Sequence, residues 1–432
     1  MALEMSKVVL TIGGSDSGGG AGIQADIKTF SILGWHGTSA LTAVTAQNTL
    51  GVQRIFPMGP EAVEEQLKSI TSDLQVAFAK TGMLHSAPVV SAVAEHLRRS
   101  KIPFVLDPVM AAEAGGVLLE PAALAALKEE LIPLAEVIVP NIFEAQRLTG
   151  REVTDSKSAE LAAREISRLG ARAVIVKGGH LDCTDLLLAE GEVHLLQGQR
   201  ALGGNHGVGC TYSAALACFM AGGYSLKEAA WKAKEFAAQA IIWSQRVGRG
   251  VPPVNQAGAV LDRAERFAAI SEVQEAADML AGRLLDAILA EENSNIGTAV
   301  AGASTPQDVA ALEGGLRSRG LGPGCVKFGA DHYLARGILA AMSCNPRARA
   351  AMILGRRALP ACSHLGLEPA RIRAGAPAEQ RAGALGAAAA GQLPRAILDP
   401  GDEEAGPLVW LLGSSAPDLA RIALDLAGKA AK

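Results

Sequence analysis

Cysteine is scarce in this 432-residue chain and follows no metal-binding or disulfide pattern. There are six cysteines, and no two of them form a CxxC pair. Because zinc knuckles and disulfide frameworks need closely or regularly spaced cysteines, the sequence argues against both. We therefore expect free thiols at all of these positions, which are Cys183, Cys210, Cys218, Cys325, Cys344 and Cys362.

The sequence also lacks strong net charge and long apolar runs. A formal net charge of −4 and an isoelectric point near 6.1 give no net attraction to nucleic acid or to an anionic membrane. The opening residues, MALEMSKVVLTIGG, lack the basic and apolar regions of a signal peptide, and no uncharged apolar stretch reaches membrane-spanning length. We expect a cytoplasmic protein that acts on small molecules, without a nucleic-acid or membrane partner.

The first part of the chain has the pattern of an α/β protein. Short β-branched runs alternate with amphipathic helical runs from residue 7 to about residue 245, which is typical of a mostly parallel sheet flanked by helices. The run DLLLAEGEVHLL at 185–196 turns at Gly191 and predicts an antiparallel hairpin. The candidate strands lie at 8–12, 38–44, 104–106, 137–139 and 173–176.

The length, with 49% hydrophobic residues, exceeds one ordinary core and predicts two domains. A helix at 225–245 opens with a capping box from Ser225 to Glu228, and it closes a first domain of residues 1–250. Paired prolines and glycines then predict a linker at 251–271. A second α/β or α+β domain at 272–432 begins with an amphipathic helix at 272–289. Its Ala- and Gly-rich stretch at 373–392 is expected to be folded.

Two glycine clusters suggest sites where the backbone approaches a ligand. The first, IGGSDSGGGAGIQADIKTF at 12–30, passes from a strand through six glycines into a helix. Glycine is needed where the backbone adopts positive φ or passes close to a ligand, although a tight strand-to-helix turn needs it too. Downstream, the amide of Gln47 presents one donor and one acceptor, which suits an aminopyrimidine edge. Gln47 by itself also fits a loop-capping role.

The second cluster, GGNHGVGCT at 203–211, precedes an apolar helix expected to start near Thr211. Its glycines let successive backbone N–H groups face one point, where the positive end of the helix dipole stabilises an anion such as a phosphoryl group. The same field is expected to lower the pKa of Cys210, which would then accept a proton from a substrate hydroxyl. The alternatives are that Cys210 is only a small packing residue and that His206 is a structural cap.

The motifs of the first domain together resemble the hydroxymethylpyrimidine and hydroxymethylpyrimidine-phosphate kinase family of thiamine biosynthesis. This family has the ribokinase-like fold, so the resemblance implies a mostly parallel sheet flanked by helices. It also implies two successive ATP-dependent phosphorylations in one site, and a homodimer. The motifs, in chain order, are GGSDSGGGAGIQADIKTF, TAVTAQNTLGVQ, KTGML, VLDPVM, PNIFEA, KGGH and HGVGCTYSAAL.

The resemblance also implies roles for individual residues. Cys210 matches the proposed base, Gly207 and Gly209 match amide donors of the anion loop, and Lys177 matches a lysine near the ATP phosphates. The residues implied to hold the aminopyrimidine are Gly14, Asp26, Gln47 and Met83. The residues implied to bind the phosphates of ATP are Asn141, Glu144, Lys177, Gly207, Val208 and Gly209. The residues implied to surround Mg²⁺ are Asp107 and Glu144, in keeping with the oxygen ligands that this ion prefers.

This sequence departs from the family pattern at three positions of the first domain. Asn205 and Val208 replace two threonines of the usual THGTGCT loop, which preserves backbone donors but removes a hydroxyl. Glu113 stands where the family often has lysine or another residue. These changes are expected to alter the rate rather than remove the machinery.

The second half resembles the archaeal-type thiamine-phosphate synthase domain. The resemblance lies in CVKFGADHYLARGILAAMSCNPRARAAMILG at 325–355, with support from 293–310 and 396–413. Coupling a pyrimidine diphosphate to a thiazole phosphate needs donors that receive pyrophosphate. The candidates for this role are His332, Arg336, Arg347 and Arg349. As an alternative, these side chains are solvated surface.

The second domain also departs from its family, so a second role stays open. Gly315 occupies the place of a family arginine, and Arg317 or Arg319 is expected to reach in from nearby. Some relatives of this domain bind thiamine phosphates without catalysis, which leaves a sensor or a degenerate module as the alternative. For the whole chain, the alternatives are a pyridoxal-type kinase and a thiamine-responsive binding protein. No helix-turn-helix segment supports a DNA-binding repressor.

Overall fold

The computed structural model describes residues 8–111, 116, 118–179, 182–198, 200–283, 285, 287–290, 294–317, 320–321, 325–367, 369–372, 378–390, 393–401 and 406–430. The chain forms two compact units, Met1–Val260 and Leu261–Lys432. Among the described residues, no helix is long and apolar enough to cross a membrane. All of the cysteines are free thiols, as expected from their spacing.

The first unit is built on a nine-stranded sheet with the order β3-β2-β1-β4-β5-β6-β7-β8-β9. Strands β2, β1, β4, β5, β6 and β7 run parallel, whereas β3, β8 and β9 pair antiparallel with their neighbours. The strands are β1 Val8–Asp16, β2 His36–Asn48, β3 Gly51–Pro57, β4 Val76–Thr81, β5 Phe104–Leu106, β6 Val137–Ile138, β7 Ala173–Val176, β8 Thr184–Ala189 and β9 Glu192–Gln197.

Helices cover both faces of this sheet because the buried strands are apolar on both sides. Leu10 and Ile12 pack toward α2, α3, α4, α5 and α6, and the intervening Val9 packs toward α1, α7 and α8. The helices are α1 Gly22–Ile32, α2 Pro60–Asp73, α3 Ala87–Ser100, α4 Pro121–Ala126, α5 Ile142–Thr149, α6 Ser156–Ser167, α7 Val208–Ala221 and α8 Leu226–Ile242. A short π-helix at Leu127–Leu131 and a 3₁₀ helix at Ile132–Leu134 follow α4.

The predicted alternation of strands and helices is confirmed in this unit. The five predicted strands correspond to β1, β2, β5, β6 and β7, and the predicted hairpin is formed by β8 and β9. The hairpin turns through Glu190 and Gly191, whose φ angles are 53° and 82°. The capping box of Ser225 and Glu228 opens α8.

The second unit contains a seven-stranded, mostly antiparallel sheet with the order β14-β11-β10-β15-β18-β17-β16, in which β16 and β17 are parallel. A two-stranded ribbon is formed by β12 and β13. The strands are β10 Ile296–Ala299, β11 Val309–Leu312, β12 Leu316–Arg317, β13 Gly320–Leu321, β14 Val326–Phe328, β15 Ala350–Gly355, β16 Ala370–Arg371, β17 Arg395–Asp399 and β18 Leu408–Gly413.

Helices cover both faces of this second sheet as well. Helices α9, α11 and α13 pack on one face, and α10 and α12 pack on the other. The predicted folded stretch at 373–392 contains α12 in its described part. The helices are α9 Gly258–Leu280, α10 His332–Cys344, α11 Leu359–His364, α12 Ala378–Ala389 and α13 Ala416–Ala430.

The start of the second unit differs from the sequence-based expectation. The predicted linker at 251–271 is irregular only up to residue 257, since α9 begins at Gly258 and replaces the expected helix at 272–289. The prolines stop regular structure only locally, and the residues that follow are mostly strong helix formers such as Ala, Leu, Glu and Arg. Gly282, with a φ of 67°, lies just past the end of α9, where a left-handed residue commonly ends a helix.

Candidate functional site

One cavity of the first unit lies at the carboxyl ends of its parallel strands, where open α/β sheets bind ligands. It is lined by loops that follow β1, β4, β5, β6 and β7, and by the first turn of α7. Every site residue predicted for the first unit lines this cavity. These residues are Gly14, Asp26, Gln47, Met83, Asp107, Asn141, Glu144, Lys177, Gly207, Val208, Gly209 and Cys210.

The first glycine cluster folds around the carboxylate of Asp16, at the end of β1. Asp16 accepts hydrogen bonds from the backbone N–H groups of Gly18 at 2.8 Å, Gly20 at 3.1 Å and Ala21 at 2.8 Å. Burial opposes ionisation of Asp16, but His206 and these N–H groups outweigh it and hold its pKa below the ordinary value. At Gly22, with a φ of 56°, an added Cβ would lie 2.4 Å from the carbonyl oxygen of Gly14. The loop thus turns into α1 by a path that only glycine follows.

The second glycine cluster forms the N-terminus of α7, which begins at Val208 and not near Thr211 as expected. The helix starts earlier because Gly207 adopts a φ of 86° and serves as its N-cap, with its carbonyl accepting the N–H of Thr211 at 2.9 Å. Cys210 therefore lies inside the first turn. The first N–H groups of a helix have no acceptor within it, and that of Val208 donates to the carbonyl of Asn205 at 3.2 Å.

The pKa expected for Cys210 is wrong in direction. Burial raises the pKa of the Cys210 thiol to about 11, and the charges of Asp26 and Asp107 act in the same direction. The ammonium of Lys80 and the N–H of Gly22 oppose this rise without reversing it. Cys210 is therefore a protonated thiol at neutral pH, because burial disfavours the thiolate.

A buried ion pair lies beneath the cavity. The ammonium of Lys80 is 3.0 Å and 2.9 Å from the two carboxylate oxygens of Asp26, and the Thr11 hydroxyl donates to the same carboxylate at 2.6 Å. Both charged side chains are only 1% exposed. Burial alone would lower the pKa of Lys80, but the charges of Asp26 and Asp107 raise it above its usual range. Lys80 thus supplies a permanent positive charge at this wall.

A second group of charges lies where α5 and α7 begin. The Lys177 ammonium donates to Asp107 at 3.0 Å, and the hydroxyl of Ser213 donates to the other oxygen of the same carboxylate at 2.9 Å. Burial alone would lower the pKa of Lys177, but Asp107 and Glu144 outweigh it and raise the pKa. Gly209 lies beside this pair, since a Cβ added there would be 3.5 Å from the Lys177 ammonium.

Asn141 and Glu144 cap α5 reciprocally. The Glu144 carboxylate accepts the N–H of Asn141 at 2.7 Å, and the Asn141 side chain accepts the N–H of Glu144 at 2.9 Å. Burial raises the pKa of Glu144 to about 7, an effect that the charge of Asp107 increases and that of Lys177 opposes. Glu144 is therefore only partly ionised near pH 7, and a nearby positive charge favours its ionised form.

These two acids fit a magnesium ion that is held mainly by substrate phosphates. Mg²⁺ in phosphoryl-transfer sites usually keeps several waters and binds through one or two carboxylates together with the phosphates. Asp107 and Glu144 are such a pair beside Lys177. Across the part of the chain that the structure describes, no group of three or more His, Cys, Asp or Glu side chains forms a metal cage. The donor set suits a cation that arrives with a nucleotide.

Gly14, Gln47 and Met83 also line the cavity. The side-chain oxygen of Gln47 accepts a hydrogen bond from the Thr45 hydroxyl at 3.1 Å, and the backbone of Gln47 is held by Ser17. A Cβ added at Gly14 would be 3.0 Å from the sulfur of the buried Met83. An apolar wall with one amide suits a flat heterocycle, which binds by surface burial and a few polar contacts.

Sequence reasoning missed three side chains that shape the cavity, which are Asp16, Lys80 and Ser213. It interpreted His206 only as a structural cap. The motifs SDSGGG and KTGML contain the first two, but His206, which contacts Asp16, and Asp26, which pairs with Lys80, are distant in the chain. The available signal was the presence of polar residues beside apolar runs of strand character.

In the second unit, the predicted cationic residues do not converge. His332 and Arg336 are exposed on the first turns of α10, whereas Arg347 is exposed beyond its other end. The length of α10 separates the two ends by roughly 18 Å. Arg349 donates to the carbonyl of Ala299 at 3.1 Å and pairs with a glutamate of α9.

The remaining predictions for the second unit concern one loop. Gly315, at the place of the family arginine, has a φ of 67°, and a Cβ added there would lie 2.6 Å from the carbonyl of Ser294. Any side chain would therefore strain this turn. Arg317 ends β12, and Arg319 lies outside the described residues, as does Glu113 of the first unit.

Two family models match the chain, one in each unit. Residues 16–255 match the model described as phosphomethylpyrimidine kinase. Residues 272–425 match the model described as thiamine-phosphate synthase ThiN.

Curated proteins are similar to the first unit. Over 265 residues the chain is 48% identical to the thiamine biosynthesis bifunctional protein ThiED of Geobacter sulfurreducens, a match that covers 60% of this chain and 54% of that protein. It is also 48% identical over 260 residues to the hydroxymethylpyrimidine/phosphomethylpyrimidine kinase of Haemophilus influenzae, covering 58% of this chain and 96% of the relative. The chain thus spans about half the length of the first relative and nearly all of the second.

Solved structures of two pyridoxal kinases are also similar. The ADP complex of the Bacillus subtilis enzyme is 36% identical with a TM-score of 0.56, and the match covers 59% of this chain and 99% of that one. The Staphylococcus aureus enzyme in complex with pyridoxal is 34% identical with a TM-score of 0.55, covering 60% of this chain and 96% of that one. The first unit therefore has the fold of these kinases.

Proposed function

Because this chain belongs to the phosphomethylpyrimidine kinase family, we propose that its first unit phosphorylates hydroxymethylpyrimidine with ATP and then phosphorylates the monophosphate to the diphosphate. The observation that carries this proposal is the convergence on one cavity of all the residues that the family resemblance implies. An amide-and-methionine end suits the pyrimidine, and a lysine-and-carboxylate end suits nucleotide phosphates.

The anion-binding element is the first turn of α7. Its N–H groups and the positive end of the helix dipole stabilise the charge on the migrating phosphoryl group. Lys177 lies beside Gly209 of this turn, where its ammonium neutralises phosphate oxygens. Asp107 and Glu144 would hold Mg²⁺, which neutralises charge on the nucleotide phosphates when bound.

Cys210 is the proposed base. Its resting form is the thiol, and so it must first release that proton to solvent before it accepts one from the substrate hydroxyl. The nearby Lys80 ammonium favours the thiolate, whereas the charges of Asp26 and Asp107 oppose it.

Turnover of alternative substrates tests the kinase proposal. The purified chain is incubated with ATP, Mg²⁺ and either hydroxymethylpyrimidine or pyridoxal, and products are identified by mass spectrometry. We expect the pyrimidine monophosphate to appear first and the diphosphate to follow. A kcat/KM for pyridoxal above that for the pyrimidine would overturn the substrate assignment, whereas no product from either would overturn the kinase.

Pyridoxal is the second candidate substrate because solved pyridoxal kinases share the fold at 34% to 36% identity. The chain is 48% identical to a pyrimidine kinase, and the match covers 96% of that relative. This higher identity favours the pyrimidine as substrate. A pyridoxal activity would therefore be a side activity of the same cavity.

For the second unit we propose coupling of the pyrimidine diphosphate to thiazole phosphate, which gives thiamine phosphate. The match of residues 272–425 to the synthase family supports this. His332 and Arg336 share the first turns of α10 and are the best placed to receive pyrophosphate, while Arg347 is too distant to join them there. The alternative is a domain that binds thiamine phosphate without catalysis.

The synthase proposal is tested in the full chain with Cys210→Ala, so that the kinase step does not interfere. Pyrimidine diphosphate and thiazole phosphate are supplied, and thiamine phosphate is measured. Formation of product supports the synthase. Its absence together with saturable binding of thiamine phosphate would instead support the sensor.

We also propose that the chain forms a homodimer in the cytoplasm. Sedimentation at several concentrations tests the dimer, and fractionation of cells that express the tagged chain tests the location. A monomer at all concentrations would remove the first proposal, and recovery in the membrane fraction would remove the second.

A further inference from the structure

The two glycine loops of the cavity are joined by one side-chain contact. The Nε2 atom of His206, in the loop before α7, lies 3.0 Å from the Asp16 carboxylate oxygen that also accepts the N–H groups of Gly20 and Ala21. Both side chains are buried, with exposures of 8% for His206 and 3% for Asp16. A buried hydrogen-bond contact between segments so far apart in the chain fixes their separation.

Close packing accompanies this contact. A Cβ added at Gly20 would lie 2.3 Å from the His206 ring, and one added at Gly207 would lie 1.9 Å from the carbonyl oxygen of Gly20. Real Cβ atoms do not approach other atoms so closely. The two loops therefore contact each other through backbone atoms. The absence of a side chain at Gly20 and Gly207 allows the imidazole to reach Asp16.

The backbone of His206 is also hydrogen-bonded to the segment around Pro252 and Val254. Its N–H donates to the carbonyl of Pro252 at 3.3 Å, and its carbonyl accepts the N–H of Val254 at 3.1 Å. His206 is thus fixed on both sides while its ring is anchored to the loop before α1. The next residue, Gly207, is the N-cap of α7, so a displacement of His206 displaces the anion-binding turn.

We propose that His206 is a positioning residue that, through Asp16, sets the distance between the N-termini of α1 and α7 and thereby aims the first turn of α7 at the reacting phosphoryl group. This inference rests on the proposed kinase function for its catalytic consequence. It assigns His206 no contact with the substrate, because the side chain is already committed to Asp16. Loss of the contact should then lower kcat while the affinity for the pyrimidine is kept.

The test compares three variants of the full chain. His206→Leu keeps the bulk but removes the donor, and His206→Gln restores an N–H donor near the position of Nε2. Gly20→Ala keeps the histidine at position 206, but the added Cβ pushes the His206 ring away from Asp16. The matched control is Gly59→Ala, because a Cβ there meets no atom within 4 Å and the φ of −70° accepts alanine.

Two readouts separate positioning from general stability. We expect kcat to fall on the order of 100-fold in His206→Leu and Gly20→Ala, the size of effect that a misplacement of about 1 Å produces, with KM for the pyrimidine unchanged. His206→Gln should recover most of this loss. Hydrogen exchange of the backbone amides at 207–211 should be faster in the two impaired variants and near wild type in the Gln variant and in Gly59→Ala.

Three results would overturn the proposal. One is a kcat of wild-type size in His206→Leu, and another is a rise in KM with kcat unchanged, which would make His206 a substrate ligand. The third is equal impairment of the Leu and Gln variants without a change in hydrogen exchange at 207–211. The exchange measurement needs no turnover, so the contact is tested even if the chain phosphorylates neither pyrimidine nor pyridoxal.

Discussion

The buried pair of Lys80 and Asp26 makes a quantitative prediction for stability. Replacement of Lys80 by methionine leaves a buried carboxylate whose remaining described donor is the Thr11 hydroxyl. Removing one partner of a buried ion pair costs about 3–5 kcal/mol of unfolding free energy, because the other charge stays without compensation. A unit of this size loses about 2–4 °C of Tm per kcal/mol, so we expect Lys80→Met to lower the Tm by about 6–20 °C.

The double variant Asp26→Asn/Lys80→Met isolates the electrostatic cause. It removes both charges and keeps nearly the same volume, so most of the lost stability should return. Lys68→Met is the matched control, because it deletes an ammonium that is 50% exposed and should leave the Tm unchanged. Scanning calorimetry on the full chain measures the effect, and the transition of the first unit is identified by its upward shift when ATP is added.

Two outcomes would refute this reasoning. If Lys80→Met melted within about 2 °C of the wild type, the ion pair would not stabilise the fold as a buried pair should. If the double variant melted no higher than Lys80→Met, an uncompensated carboxylate would not be the cause of the loss.

Three further predictions follow from the same cavity and from α10. Since the folded state holds the pKa of Glu144 at about 7 against an ordinary 4.5, ionisation of this carboxyl opposes folding, and its contribution to the Tm should fall as pH rises from 4.5 to 7. Glu144→Gln should flatten this calorimetric profile. Gly207→Ala should abolish phosphoryl transfer in a coupled ATP assay, because its Cβ would collide with the facing loop, whereas Gly34→Ala has the same positive φ but open space and should remain active. Thiamine phosphate formation should be reduced on the order of 10-fold or more by Arg336→Ala, a charge-assisted donor, and little by Arg347→Ala.

Each of these has a contradicting result. A pH profile of Tm that is identical in wild type and Glu144→Gln would show that this carboxyl does not titrate in the folded chain. Equal activity losses in the two glycine variants would assign the effect of Gly207 to backbone strain alone. Equal losses in the two arginine variants would return Arg347 to the proposed pyrophosphate site.

The fold of the first unit was predictable because its signals are local. Alternating apolar runs predict buried strands, and the strand residues Leu10 and Val9 indeed pack on opposite faces of the sheet. The role of the glycine clusters was also predictable from the sequence, since positive φ and close backbone approach restrict a position to glycine. The convergence of the two clusters followed from the rule that ligands bind at the carboxyl ends of parallel strands.

The electrostatics of the site were not predictable in the same way. The pKa of Cys210 depends on how much water the surrounding fold removes, and Lys80 reaches Asp26 from a strand 54 residues away. The helix dipole, which is local, pointed toward a low pKa, whereas burial, which is a tertiary effect, raises the pKa. In the second unit, the sequence named His332 and Arg347 as candidates for one role, but α10 lies between them and holds them at its two ends.

The most direct test of the account compares two cysteines of the same helix. Cys210 lines the cavity in the first turn of α7, and Cys218 is 1% exposed in the packed core two turns later. Loss of a general base lowers the rate of chemistry by about 10²–10⁴-fold. Single-turnover phosphorylation of hydroxymethylpyrimidine should therefore be slowed by that factor in Cys210→Ala and stay near wild type in Cys218→Ala, with substrate binding intact in both. A single-turnover rate in Cys210→Ala equal to that of the wild type would contradict the account.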